Sequence, residues 1–240
     1  MPPSRDVPDR HADQPLGVPV SFTAASPPDR TPMVGTHVTL RPVDPRADAA
    51  PLYRISHLPD GDPRIWTYLF DGPYPDLASF ASELEVESRS DDPLFLTVVR
   101  DRQPQGQVAF LAIVPDHGTI ELGYIWFGPG LARTAAGTEA IFLMLTRAFD
   151  QLGFRRVEWK CHALNAPSRR AAERLGFLYE GTFAQHRVVK GHNRDTAWFA
   201  ITDARWPRVR QALQAWLDPA NFDAAGEQRH TLETLRGAER

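Results

Sequence analysis

The chain reads as a mixed α/β protein of α+β type, in which helices cover one central, mostly antiparallel sheet. Three observations predict this. Three strand-like segments follow one another between Leu94 and Phe127. A long helical stretch then occupies residues 134–152. After it, strands and helices interleave as far as residue 217.

Each element has a local reason. Residues 37–41 alternate as a short strand, and residues 44–58 suit a helix opening on Asp44 and Pro45. Residues 75–89 form a second helix with Leu77, Phe80 and Leu84 on one stripe. Strands are expected at 94–100, 106–114 and 119–127, and the tight turn Asp116-His117-Gly118 makes the last two an antiparallel hairpin. In the long helix Ile141, Leu145, Ala148, Phe149 and Leu152 share a face, and Gly153 stops it. In residues 156–162, Val157, Trp159 and Cys161 face one way and Glu158, Lys160 and His162 the other. A short helix at 167–175 ends on Gly176. Strands at 183–190 and 195–202 flank a Gly191-His192-Asn193 turn, and a last helix carries Trp206, Val209, Leu213 and Trp216 on one stripe.

Composition narrows the function classes. The 240 residues are 42% hydrophobic and 24% charged with a net charge of -3, which gives no reason to invoke nucleic acid or an anionic membrane. No apolar run approaches the roughly 18 residues of a membrane span, and no secretory signal opens the chain. The single cysteine, Cys161, excludes an internal disulfide and a cysteine-only metal cage. The expectation is a cytoplasmic protein without a metal. Eight of the 22 prolines fall in the first 32 residues, so 1–32 reads as a flexible leader, 33–217 as the folded domain and 218–240 as a polar tail.

At Glu121-Leu122-Gly123-Tyr124, Thr138-Glu139-Ala140, and Asn165-Ala166-Pro167-Ser168-Arg169-Arg170 closing on Glu173-Arg174-Leu175-Gly176-Phe177, the sequence resembles the GNAT acyltransferases, and within them the RimJ/RimL-type branch. The resemblance implies a GNAT fold, with the sheet splayed between its middle strands, and acetyl transfer from acetyl-CoA as co-substrate to an amine acceptor. A protein N-terminus or a small-molecule amine would serve. It leaves a homodimer open.

The residues can be weighed against that chemistry. Pyrophosphate needs unpaired backbone N–H groups such as a helix N-terminus offers. The loop Ala132-Arg133-Thr134-Ala135-Ala136-Gly137-Thr138 supplies one, although the family usually has Gln or Arg where this chain has Ala132 and Gly where it has Ala135. The same residues also read as a plain turn capped by Thr134. By resemblance, the main chains of Ile125, Trp126 and Phe127 pair with the pantetheine arm, and a strand N–H stabilises the oxyanion. Asn165 and Ser168 read as helix caps. By resemblance they bind cofactor and protonate the leaving thiolate, with Arg170 near the phosphates. The family's alternative acid, a Tyr in this helix, is replaced by Ala172. Glu121 and His186 are candidate general bases, while Glu180 fits a structural turn better.

Trp66, Tyr68, Phe70 and Tyr74, with Asp60, Asp62 and Asp71, read either as an acceptor site for a cationic amine, oriented by Asp62 or Asp71, or as a helix connection with solvated acids. The rival functions are an acyl-CoA-binding sensor of the same fold and a Cys161 nucleophile. The second is poor, because Cys161 and its neighbour His162 point to opposite faces.

Overall fold

The computed structural model describes residues 17–237. Among them are the strands β1 (Met33–Val34), β2 (Thr39–Pro42), β3 (Leu94–Arg100), β4 (Gln103–Val114), β5 (Thr119–Phe127), β6 (Arg156–His162), β7 (Leu178–Val189) and β8 (His192–Thr202). They form one sheet in the order β1-β2-β3-β4-β5-β6-β8-β7, antiparallel throughout except for the parallel β5–β6 pair. The helices are α1 (Pro45–Ser56), α2 (Leu77–Glu87), α3 (Ala135–Thr146), α4 (Ala166–Leu175), α5 (Trp206–Leu217) and α6 (Leu232–Arg236), and a π-helical turn at Arg147–Gln151 extends α3. The mixed, mostly antiparallel sheet expected from the sequence is present.

The helix starts follow capping chemistry. Asp44 accepts from the N–H groups of Arg46 and Ala47, and Asp76 from that of Ser79 at 2.7 Å. On α2 the expected stripe is displaced. Phe80 and Leu84 are buried, but Leu77 is 41% exposed and the stripe runs on to half-buried Glu87 instead.

Two hairpins are tighter than the sequence suggested. β3 and β4 are joined by Asp101-Arg102 at φ 50° and 63°, so β4 begins at Gln103 rather than Gly106. β7 and β8 are joined by Lys190-Gly191 at φ 50° and 77°, which places His192 and Asn193 inside β8. Two-residue turns with both φ positive match the strand twist, and here non-glycine residues occupy three of the four positions.

The two faces of the sheet hold separate cores. Ile120, Leu122, Val157, Trp159 and Phe199 pack under α3 and α5, while Phe95, Ala109 and Trp126 pack against Leu52, Phe80 and Leu84 of α1 and α2. β5 contributes to both because it carries a bulge. The pairs Ala109↔Gly123 and Gln107↔Trp126 leave one extra residue on β5, and Tyr124 lies at φ 48°. One inserted residue exchanges the faces, so Ile120 and Leu122 join the first core whereas Tyr124 and Trp126 join the second.

The ends of the chain differ from the sequence expectation. Residues 1–16 of the expected leader lie outside the described residues. Its remainder is docked: the Ala25 N–H donates to Pro115 O at 3.1 Å, that of Ser26 donates to Leu152 O at 2.9 Å, and Ala25 is buried. The segment beyond residue 217 returns over α5, with Leu232 buried and the Trp216 indole donating to Gln228 Oε1 at 2.7 Å. A few apolar residues (Phe22, Ala25 and Leu232) suffice to hold otherwise polar segments.

Glu139 of α3 closes the β1–β2 turn. Its buried carboxylate accepts from the N–H groups of Thr36, His37 and Val38 at 2.8, 2.6 and 3.0 Å. A Cβ on Gly35 would meet that carboxylate at 2.5 Å, so the close approach requires glycine there. Glu139→Ala strands these donors and should lower the unfolding free energy by about 3 kcal/mol or more in urea titration. A loss under about 1 kcal/mol would show that the turn finds other acceptors.

Candidate active site

The parallel ladder between β5 and β6 runs only from Thr119↔Arg156 to Leu122↔Trp159. Beyond it the strands part, β5 bending at its bulge and β6 staying with β8 through His162↔Thr196. The opening holds a cavity of about 100 Å³. Gly123, Tyr124 and Ile125 line one side, Lys160, Cys161 and His162 the other, and Asn165 and Ser168 lie at its α4 end. The sheet is thus splayed between its middle strands.

Of the three β5 residues expected to offer their main chain, Ile125 lines this cavity. The Trp126 indole is turned to the α1–α2 side, where it donates to Gln107 Oε1 at 3.0 Å, and Phe127 packs into the core under α3. Gly123 and Tyr124 take a larger share of the wall than the sequence suggested, because the bulge sets the bend there.

Asn165 caps α4, its Oδ1 accepting from the Ser168 N–H at 3.1 Å. The Trp159 indole N–H donates to Ser168 Oγ at 3.0 Å. An oxygen that accepts from an indole keeps its own proton to donate. Cys161 sits in the same wall with a thiol that burial pushes up, against the pull of a hydrogen bond from Ser168. It faces the same side as Val157 and Trp159, while the His162 ring lies across the strand beside Tyr68 at 5.1 Å. Arg170 is exposed on α4.

The loop before α3 behaves as a capped helix start. Thr134 Oγ1 accepts from the Gly137 N–H at 3.2 Å. Arg133 is exposed at φ 61°, and a Cβ on Gly137 would collide with the Leu131 carbonyl, so this glycine lets the loop fold back on the helix. The helical pattern leaves the amides of Ala135 and Ala136 without an intrahelical acceptor. Thr138 is buried and its hydroxyl accepts from Arg174 at 3.2 Å.

The opposite face of β6 is charged, as its alternation predicts. Lys160 Nζ lies 2.8 Å from Glu121 and 2.7 Å from Glu158, and Arg156 pairs with Glu158 and Glu180. Burial pushes the Glu121 carboxyl above its ordinary value, although Lys160 opposes the shift. Burial acts against the Lys160 charge, but Glu121 and Glu158 outweigh it and hold the amine above its usual range. Glu121 therefore lines the cavity as the partner of a buried cation. His186 is kept below the ordinary imidazole value by burial and by Arg187, and its buried Nδ1 has no partner. Glu180 is bound to Arg156, which holds its carboxyl low.

The acceptor-side expectations divide. Asp62 is bound to Arg64 and caps the 3-10 turn Pro63–Trp66. Asp71 lines a small cavity with Trp66, Tyr74, Tyr124 and Glu87. Glu87 was missed from the sequence. Burial pushes its carboxyl to about 8, aided by Glu83 and Asp71 and opposed by Gln107, whose amide donates to it at 2.6 Å. The available signal was its place on the Phe80–Leu84 stripe, three residues beyond Leu84. Arg194 was missed as well. It is buried and lines the large cavity.

Splayed parallel strands are thus combined with a capped helix start following the first and a hydroxyl-bearing helix following the second. Residues 37–178 match the family described as "Acetyltransferase (GNAT) domain". The crystal structure of a GCN5-related N-acetyltransferase from Brucella melitensis superposes with TM-score 0.86 at 46% identity, covering 90% of this chain and 98% of that one. A GNAT-family acetyltransferase structure from Chromobacterium violaceum ATCC 12472 gives TM-score 0.73 at 36% identity, covering 80% and 99%. A protein named ribosomal N-acetyltransferase YdaF, from Bacillus subtilis (strain 168), is 24% identical over 178 residues, 72% of this chain and 95% of its own. The chain belongs to the GNAT acetyltransferase family.

The Glu87 carboxyl gives a pH signature. Folded, it keeps a proton up to about 8 that the unfolded chain releases near 4.5, so wild-type stability falls as pH rises between these values. Glu87→Gln removes that fall. Urea titration at about pH 5 and about pH 8.5 should show the variant gaining on wild type at the higher pH, and a constant difference would refute the raised carboxyl.

Proposed function

We propose that the protein transfers an acetyl group from acetyl-CoA to a primary amine by direct attack in a ternary complex. The observation that carries this reading is the opening between β5 and β6, ending on Asn165 and Ser168. The donor set fits an extended thioester. The free amides of Ala135 and Ala136 with exposed Arg133 suit pyrophosphate, the unpaired edge of β5 around Ile125 suits the pantetheine amides, and Ser168 suits the sulfur.

In the reaction the neutral amine forms a bond to the thioester carbonyl carbon, and a β5 N–H holds the oxygen as it becomes negative. The carbon–sulfur bond breaks, Ser168 or water gives the thiolate a proton, and the amine's surplus proton leaves to solvent or to Glu121. An α-amine near pKa 8 costs only about 1 kcal/mol to deprotonate at pH 7, against about 4.6 kcal/mol for a lysine. The engagement of Glu121 with Lys160 therefore favours an α-amine, which needs no dedicated base. The likeness to YdaF, named as a ribosomal N-acetyltransferase, supports a protein acceptor and the RimJ/RimL-type branch. The Cys161 thiol, protonated and packed with the core, supports direct attack over an acyl-cysteine.

Calorimetric titration of acetyl-CoA, followed by a free-thiol assay over N-terminal peptides, amino acids, polyamines and aminoglycosides, tests the proposal. Binding with CoA release on one acceptor class is expected. Binding without release on any acceptor would favour a sensor role. Ser168→Ala should reduce turnover roughly tenfold, at or below the low end of general acid catalysis because a thiolate leaves readily, with acetyl-CoA affinity little changed. Asn165→Ala with Ser168→Ala should lose more, and unchanged turnover in the double variant would refute both roles.

A further inference from the structure

Arg194 on β8 is 6% exposed and lines the cavity between β5 and β6. Its Nε is buried without a hydrogen-bond partner, and Nη1 reaches only the Tyr68 carbonyl at 3.4 Å. The guanidinium lies over the Phe70 ring at 4.5 Å, and Arg187 approaches that ring at 5.4 Å, adding a like charge. Glu121, in the same cavity, is held by Lys160 at 2.8 Å. Among the described residues no carboxylate forms an ion pair with Arg194. Burial lowers its affinity for its proton and Arg187 lowers it further, and the more weakly acting Cys161, Glu121 and Tyr124 do not offset them.

A guanidinium taken out of water without a counter-charge is strongly unfavourable, so such a group persists where a ligand supplies the charge. Two further polar side chains lie on the same face of β8, outside the cavity lining. Thr196 and Trp198 follow Arg194 at every second position of β8 and share its face, and both Thr196 Oγ1 and Trp198 Nε1 are buried without a partner. That face carries Lys160 across the sheet and lies opposite Cys161, away from the side where Ser168 meets Trp159. A charge held there belongs to the molecule entering from the acceptor side.

We propose that Arg194 holds a carboxylate of the acceptor, so that the substrate is an amine bearing a nearby carboxylate: a free amino acid or a peptide with an acidic first side chain. The guanidinium presents a planar fork that matches a carboxylate, and it lies over the Phe70 ring. This inference rests on the acetyl-transfer reading above.

The test compares matched acceptors that differ only in the charge: a peptide amide beginning Asp-Ala against one beginning Asn-Ala, and serine against serinamide. Each is assayed with wild type and with Arg194→Gln, using acetyl-CoA and free-thiol release, and each is titrated calorimetrically with CoA present. Wild type should prefer one acid over its amide by at least tenfold in KM or Kd, and Arg194→Gln should abolish the preference while acetyl-CoA affinity is unchanged. Arg194→Met should melt no lower than wild type, because an unpaired buried charge has been removed, which a structural arginine would not show.

Equal use of every acid and its amide by wild type would overturn the proposal. So would a preference that survives Arg194→Gln. An Arg194-dependent preference for succinyl-CoA over acetyl-CoA would overturn it too, by placing the carboxylate on the acyl chain. Failure of acetyl-CoA to bind wild type would strike the transfer reading itself, and the calorimetric acid–amide comparison would still decide whether Arg194 binds carboxylates.

Discussion

The early end of the β5–β6 ladder is the constraint from which the rest of the site follows. Parallel strands joined through a helix ordinarily pair along their length, and here they stop at Leu122↔Trp159. The bulge at Tyr124 is the local cause, since a left-handed residue bends β5 toward β4 while β6 keeps its full ladder with β8. Unpaired main-chain groups inside a sheet are otherwise avoided, and beyond Leu122 the backbone of β5 faces the cavity instead of β6. The same bulge exchanges the faces of β5, which puts Ile125 in the core under α3 and Tyr124 on the side of α1 and α2.

The opening separates two chemically different walls. On the α4 side the cavity is walled by Trp159, Cys161 and Ser168, mostly apolar with one hydroxyl. On the other side Lys160 bridges Glu121 and Glu158 beneath the Trp198 ring at 4.2 Å. Low polarity on the first wall keeps the Cys161 thiol neutral, while fixed charge lines the second. β6 produces both walls by strict alternation.

Much of this was legible in the sequence. The order of elements, the faces of β6, the caps at Asp44, Thr134 and Asn165 and the apolar faces of α3 and α5 follow from local rules that tertiary structure did not override. The misses share a physical reason. Asp101-Arg102 and Lys190 adopt positive φ without being glycine, because strand pairing on both sides supplies the energy. Glu87 continues a stripe that periodicity assigns to burial and Arg194 precedes the strand expected at 195–202, and a pattern of apolar residues cannot say which charges the fold will hide. Asp62 is engaged by Arg64, two residues away, a pairing that composition alone does not reveal. The docking of Ala25 depends on a surface assembled from Pro115 and Leu152, far apart in the chain.

The hydrogen bond from the Trp159 indole to Ser168 has a consequence for timing. A serine hydroxyl is normally a free rotor, and its proton samples several directions. Here one lone pair is claimed by a ring locked in the sheet, and the backbone of the same serine is pinned by Asn165. The rotor is thereby restricted before any ligand arrives. Part of the entropy of orienting that hydroxyl is therefore spent when the chain folds rather than when a ligand arrives.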